Sequence, residues 1–151
     1  QVYQKINIDE AVLRGIESDI EYLISPNLLT QANLTYTYGE NLSKKEPMRR
    51  IPPLFGSLSL LWDINSKFKF KGNMFYAGKQ DRLSQGDIDD DRIAINGTPS
   101  WNSVDLSMRY INKKMQLQAG LRNLFDEAYR THGSGVDSMG RSLWMSVKLV
   151  I

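Results

Sequence analysis

The chain has 151 residues, no cysteine, a single histidine, and 19 basic against 17 acidic side chains, for a net charge of +2. That length fits one domain, the missing cysteine removes disulfides and thiolate metal sites, and the dispersed basic residues lack the clustered stripe of a nucleic-acid binder, so no nucleic-acid partner is expected. No apolar run approaches the ~18 residues of a membrane-crossing helix, and the longest lies near residues 58–62.

Residues 1–10 are the least patterned; Val2, Gln4, Ile6 and Ile8 alternate with Tyr3, Lys5 and Asn7 as in an extended segment. The chain begins without methionine or a signal peptide, which reads as a mature protein or a piece of a longer one. Alternate residues of a strand point to opposite faces, and this period recurs from here on. Residues 11–23 set Val12, Ile16, Ile20 and Tyr22 on one face, interrupted by Arg14 and Ser18, with Gly15, Glu17, Asp19 and Glu21 on the other. Ser25-Pro26-Asn27 turns the chain. Residues 28–38 oppose Leu28, Ala32, Leu34, Tyr36 and Tyr38 to Gln31, Asn33, Thr35 and Thr37. Residues 39–50 read as a polar, charged loop, and Pro52-Pro53 leads into residues 54–62, where Leu58, Leu60 and Trp62 oppose Ser57, Ser59 and Leu61.

After a short turn at 63–66, residues 68–78 place Phe68, Phe70, Met74 and Tyr76 against Lys69, Lys71, Asn73 and Phe75. A long loop rich in Asp and Gly fills 79–100. Residues 101–110 set Val104, Leu106, Met108 and Tyr110 against Ser103, Asp105, Ser107 and Arg109; Asn112-Lys113-Lys114 turns the chain. Residues 115–122 set Met115, Leu117, Ala119 and Leu121 against Gln116, Gln118, Gly120 and Arg122. A last loop at 132–140, with glycine at 133, 135 and 140, precedes residues 141–151, where Leu143, Met145, Val147, Leu149 and Ile151 oppose Ser142, Trp144, Ser146, Lys148 and Val150.

Three features separate this from a β-sandwich, whose core face would also alternate. Short turns near Pro26, Asn65 and Lys113 alternate with long loops near Lys45, Asp89 and Gly135, as in outer-membrane barrels with short periplasmic turns and long extracellular loops. Tyr22, Trp62, Phe68, Phe70 and Tyr110 sit beside short turns and Tyr36, Tyr38 and Tyr76 toward long loops, giving two aromatic girdles. The strands approach the ~9–11 residues that a tilted membrane strand needs. Arg14 is the clearest charge on an apolar face, and it lies toward the long-loop end. The expected fold class is therefore all-β: an antiparallel transmembrane β-barrel segment of about seven long strands, with outer-membrane lipid against one face.

With the strands placed, ordered motifs stand out: Gly15-Ile-Glu17 with Tyr22, Arg50-Ile-Pro-Pro53, Gln80-Asp-Arg-Leu-Ser84 with Asp87, Asp90 and Arg92-Ile93, Gly97-Thr-Pro99, Asn123-Leu-Phe-Asp126, Tyr129-Arg130, His132-Gly-Ser-Gly135 and Gly140-Arg-Ser142. In this order they resemble the TonB-dependent outer-membrane receptors, and the likeness runs over nearly the whole chain. The resemblance implies a barrel of about 22 strands closed by an N-terminal plug, of which residues 1–151 are the C-terminal third without the plug. It further implies a bacterial outer-membrane importer of a scarce solute (ferric siderophore, haem or cobalamin), partnered by the energy-coupling protein TonB through the plug and by the rest of the barrel. Ile151 departs from the terminal aromatic usual in the family. A strand at residues 2–8 would instead give about eight strands, the count of the smallest self-contained barrels, with a binding or structural role.

No nucleophile stands beside a base, so neither an enzyme nor a cofactor is expected. His132 sits in a Gly-Ser-Gly loop; haem-uptake receptors of the resembled family use loop histidines, but a turn residue is the simpler reading. The run Asp87-Ile-Asp-Asp-Asp91, with Asp89, Asp90 and Asp91, resembles a calcium-binding stretch but lacks its regular spacing, which favours a solvated acidic loop. Arg82 and Arg92 are expected to pair with those aspartates. Arg82, Asp87, Asp89, Asp90, Asp91, Arg92 and His132 are thus the loop candidates for ligand contact. Glu17, Asp19, Glu21, Arg109 and Arg122 face the interior and, through the resemblance, the plug; Lys69 and Lys71 do so near the periplasmic mouth.

Overall fold

The computed structural model describes residues 10–149. The expected strand at 2–8 and the terminal Ile151 lie outside them. The chain forms β1 (Ala11–Ser25), β2 (Leu28–Asn41), β3 (Glu46–Pro47), β4 (Phe55–Asp63), β5 (Phe68–Ala77), a four-residue helix α1 (Gln85–Ile88), β6 (Trp101–Ile111), β7 (Met115–Arg122) and β8 (Ser142–Leu149). The strands form one sheet in the order β1-β2-β4-β5-β6-β7-β8, with the short β3 on β2. Every pairing is antiparallel. Among the described residues β1 and β8 are the two edges of an open sheet.

Local chemistry sets the turns. Ser25 donates to the Asn27 side chain at 2.8 Å, and Asn27 donates to the Asp63 carbonyl at 3.2 Å, tying two short turns together. The Asn65 carboxamide accepts from the Lys67 and Phe68 amides, and Asn112 does the same for Lys114 and Met115. These asparagines mimic a turn of backbone and close each hairpin without a long loop.

One expectation is corrected here. Residues 39–50 are not simply a loop: β2 runs on to Asn41 and the chain returns as β3, pairing Glu40 with Pro47 and Asn41 with Glu46. The 15-residue β1 and 14-residue β2 therefore outrun the lipid layer. The excess stands at the long-loop end, because about ten residues of a tilted strand already cross the apolar layer.

Register confirms the two faces. The row Ala32, Leu58, Met74, Val104 shares one side of the sheet, and the row Asn33, Ser57, Phe75, Ser103 shares the other. On the wet side Gln31 donates to Glu21 at 2.8 Å, Asn33 to Ser57 at 2.8 Å, and Ser59 to Asn73 at 2.8 Å. Gly120 leaves room beneath the indole it faces, since a Cβ there would stand 2.8 Å from Trp144 Nε1. Among the described residues no second layer covers the apolar side, as a sandwich would require. Among the described residues only Ala77 and Ile93 are buried hydrophobics, while the apolar rows are exposed or half-exposed. Phe68 and Tyr110 touch at 5.1 Å between ring centres, beside the short turns.

Candidate functional site

All three long connections meet at one end of the sheet. Asp87, only 1% exposed, joins two of them. Its carboxylate accepts from the Ser84 amide at 3.1 Å and hydroxyl at 2.9 Å, while Ser84 Oγ accepts from the Asp87 amide at 3.2 Å. That reciprocal cap starts α1. The other Asp87 oxygen accepts from the Arg50 amide at 3.0 Å, joining the loop after β3 to the loop after β5. Asp90 gathers three guanidiniums: Arg92 in a fork at 2.6 and 2.7 Å, Arg49 at 3.1 Å and Arg50 at 3.2 Å. The Asp90 side chain is 6% exposed and the three arginines about half exposed, so one buried anion is shared by three partly exposed cations. Each pair is individually worth only ~0–1 kcal/mol at such exposure, and the shared carboxylate is what orders the cluster.

Further along the same loop, Gln80 and Thr98 form an isolated bridge, and the Gln80 side chain donates to the Ile51 carbonyl at 2.8 Å. Gly97 makes the bridge possible: its φ is +84°, and a Cβ there would lie 2.0 Å from the Gln80 carbonyl oxygen. Thr98 hydrogen-bonds His132 Nδ1 at 2.8 Å, which draws in the loop before β8. His132 Nε2 is buried with no partner among the described residues. Burial pushes the His132 pKa below its ordinary value, with Asp87 and Asp90 pulling it partly back. In that last loop Asn123 accepts from the Glu127 amide and donates to the Glu127 and Met139 carbonyls. Arg130 binds Asp137 at 2.7 Å, and this hydrogen bond holds the Asp137 carboxyl below the usual carboxylate range.

Beneath the loops the wet face changes character. Phe55, Ala77 and Trp101 form one row and Phe75 lies in the next. With Pro52, Pro53, Thr131 and His132 they line a cavity of about 310 Å³. Trp101 also stacks on Tyr129, with ring centres 4.1 Å apart.

The structure thus brings Asp87, Asp90, Arg92 and His132 into one layer. Two expectations are corrected. The acidic run is not solvated throughout: Asp87 and Asp90 are buried, whereas Asp89 accepts from Gln85 at the exposed end of α1 and Asp91 is exposed. Arg82 does not pair with these aspartates; its guanidinium lies 4.1 Å from the Tyr38 ring centre. Glu17, Asp19, Glu21, Arg109 and Arg122 all lie on the wet face, with Arg109 opposite Lys69 and Gln118, and Arg122 opposite Ser142. Arg49, Arg50 and the aromatic rim are the residues that sequence reasoning missed. The rim carried a signal, since Phe55, Phe75 and Trp101 break an otherwise polar alternation.

An antiparallel sheet with an uncovered apolar face, a polar opposite face and a folded loop layer at one end is the wall of a transmembrane β-barrel. The chain belongs to the TonB-dependent receptor-like β-barrel family, whose model matches residues 1–124, and its place is the outer membrane. The family is one of transport receptors. The chain is 26% identical over 149 residues to the iron-regulated outer membrane virulence protein of Vibrio cholerae, covering 96% of this chain and 22% of that protein. It is 24% identical over 153 residues to the ferric enterobactin receptor of Pseudomonas aeruginosa, covering 95% and 20%. Among solved structures, the copper transporter OprC shares the fold with a TM-score of 0.78 at 24% identity, over 91% of this chain and 22% of that one. A mutant of the ferric enterobactin receptor PfeA from Pseudomonas aeruginosa does so with 0.72 at 22% identity, over 93% and 22%. The chain spans about a fifth of the length of the relatives it matches.

Proposed function

We propose that residues 1–151 are the C-terminal portion of the barrel of a TonB-dependent uptake receptor, completed by strands and a plug outside this chain. In this reading the receptor imports a scarce solute of the ferric siderophore, haem or cobalamin class. The chain supplies wall, extracellular loops and closing strand, and takes no catalytic part. Loops and plug apices capture the solute; TonB then pulls on the plug and draws on the inner-membrane proton gradient. Glu17, Asp19, Glu21, Arg109 and Arg122 hydrogen-bond the plug in a wet interface.

One observation supports the reading: the loop layer at the long-loop end holds three half-exposed arginines, and the same end of the sheet carries an aromatic-lined cavity. Arginine clusters suit anionic ligands and aromatic walls suit planar ones, which favours anionic ferric siderophores or haem. The names of the two relatives point to iron as well. Arg82 does not share this position, so the loop candidates reduce to Asp87, Asp90, Arg92 and His132 as scaffold, with Asp89 and Asp91 at the surface.

A strain lacking the receptor is grown with each solute class as sole source, and loss of growth on one class names the cargo. Unimpaired growth on all three overturns the importer reading. In the intact receptor, Arg49→Gln with Phe75→Ala is expected to weaken cargo binding about tenfold while the barrel still assembles.

A further inference from the structure

The wet face of the sheet is polarised sideways. β1 sets Glu17, Asp19 and Glu21 on it, and neither β1 nor β2 sets a basic residue there. β5 to β8 set Lys69, Lys71, Arg109, Arg122 and Lys148 on the same face, against Asp63 on β4 and Asp105 on β6. Both aspartates are engaged: Asp63 pairs with Lys69 at 2.5 Å, and Asp105 accepts from the Asn123 amide at 2.9 Å. Lys71 and Arg109 are exposed, and among the described residues neither has a carboxylate within ion-pair distance.

Register makes this arrangement costly. Arg109 is the direct cross-strand partner of Lys69, and Lys71 stands one row higher on the same face. Like charges directly opposite destabilise a strand pair. A carboxylate at any of these positions would relieve the repulsion from within the sheet, so the cluster calls for an anion supplied from outside it. The panel of β4, β5 and β6 is also ordered along its height. Phe55, Ala77 and Trp101 form a row at the long-loop end, Ser59 and Asn73 lie midway, and Lys71, Lys69 and Arg109 stand toward the short turns. From Trp101 to Arg109 the strand runs ~26 Å.

We propose that Lys71 and Arg109 form a lower station for the imported anion, which descends the β4–β6 panel after the plug is drawn aside. Arg109, which hydrogen-bonds the plug at rest, exchanges that partner for the cargo. The three acids of β1 repel the same anion and confine it to the panel. The station rests on the importer reading with an anionic cargo.

The test uses the intact receptor in cells, with a thiol placed on the row of Lys71 by Ser107→Cys. The chain has no cysteine of its own, and the parent receptor sets the background. Two methanethiosulfonate reagents, one bearing a sulfonate and the other a trimethylammonium, report the local charge, each rate being divided by its rate with free cysteine. In TonB-energised cells the sulfonate reagent is expected to react about tenfold faster than the cationic one. Lys71→Gln/Arg109→Gln should bring the ratio to about one, and Lys71→Arg should preserve it. At Thr35→Cys, opposite Glu17, the preference should reverse.

Equal rates for the two reagents at Ser107→Cys, an unchanged ratio in the glutamine pair, or the same anion preference at Thr35→Cys would each overturn the station and leave the importer reading standing. Labelling of de-energised cells that appears only with Lys71→Gln would make this lysine a plug anchor and would overturn it too. Absence of energised labelling by either reagent at both thiols would remove the importer reading and the station with it.

Discussion

In the sheet, Ile16 and Leu143 are 71% and 78% exposed; in the loop layer above it, Ser84 and Asn123 are 4% and 3% exposed. The wall carries its apolar groups outside, and the cap carries its polar groups inside. The two regions answer to different solvents. Lipid rewards every outward apolar side chain of the wall, while the ladder satisfies its backbone. The cap stands in water without a large apolar interior, so it orders itself by pairing its buried polar groups, with His132 Nε2 the exception among the described residues. The wall depends on a side chain's parity, and the cap depends on individual partners.

Parity gives the largest expected effect. Leu106 lies on the apolar face in mid-strand, opposite Gly72 and Leu121, whereas Ser107 lies on the wet face opposite Lys71 and Gly120. Leu106→Arg or Met145→Arg is expected to cost ~2–4 kcal/mol of insertion free energy near the midplane and to deplete folded receptor in the outer membrane. Ser107→Arg should be much milder. Heat-modifiability on gels checks both; equal damage from both faces would show that the wall is not bounded by lipid on one side only.

Partners give the next effect. Asp87→Ala removes the acceptor for the Ser84 amide, the Ser84 hydroxyl and the Arg50 amide. Leaving buried donors unmet costs ~1–3 kcal/mol. Hydrogen exchange should quicken in the loops after β3 and β5 and stay unchanged in β4, β5 and β6. Faster exchange in the strands would merge two regions that the structure keeps distinct.

The same contrast explains what the sequence made legible. Alternation located every long strand, because a period of two survives any choice of apolar residue. It stopped short at the β2–β3 extension beyond Tyr38, where Glu40 and Pro47 pair above the apolar layer and carry no apolar alternation. The Asp90 cluster was opaque for another reason: Arg49, Arg50 and Arg92 converge from distant positions, and only the folded loops bring them together. Arg82 sits beside the aspartates in sequence yet faces the outer surface, so proximity along the chain misplaced it.

A smaller effect separates backbone strain from crowding within the cap. Gly97 and Gly133 both have positive φ, +84° and +72°, yet a Cβ meets the Gln80 carbonyl at Gly97 and nothing within 4 Å at Gly133. Gly133→Ala should lose ~1–2 kcal/mol of loop stability from the left-handed backbone alone. Gly97→Ala should lose more and open the Gln80–Thr98 bridge, visible as faster exchange of both amides. Equal losses would mean that the bridge adds nothing.

The smallest effect is a pH dependence confined to the cap. Burial favours neutral His132, so its folded-state pKa lies below the ordinary ~6.5. The unfolded loop then binds the proton more readily than the folded one. The stability contribution is therefore complete above pH ~6.5 and is lost as pH falls through the lower folded-state value. The charges of Asp87 and Asp90 oppose this loss, but both carboxylates are already engaged by the cap and the arginines. Protonation would also place charge beside Nε2, which has no acceptor among the described residues. Loop exchange should accordingly rise on acidification in the parent, stay flat in His132→Gln, and leave the strands untouched in both. A rise of the same size in His132→Gln would transfer the effect to the carboxylates around Asp90 and remove the histidine from the account.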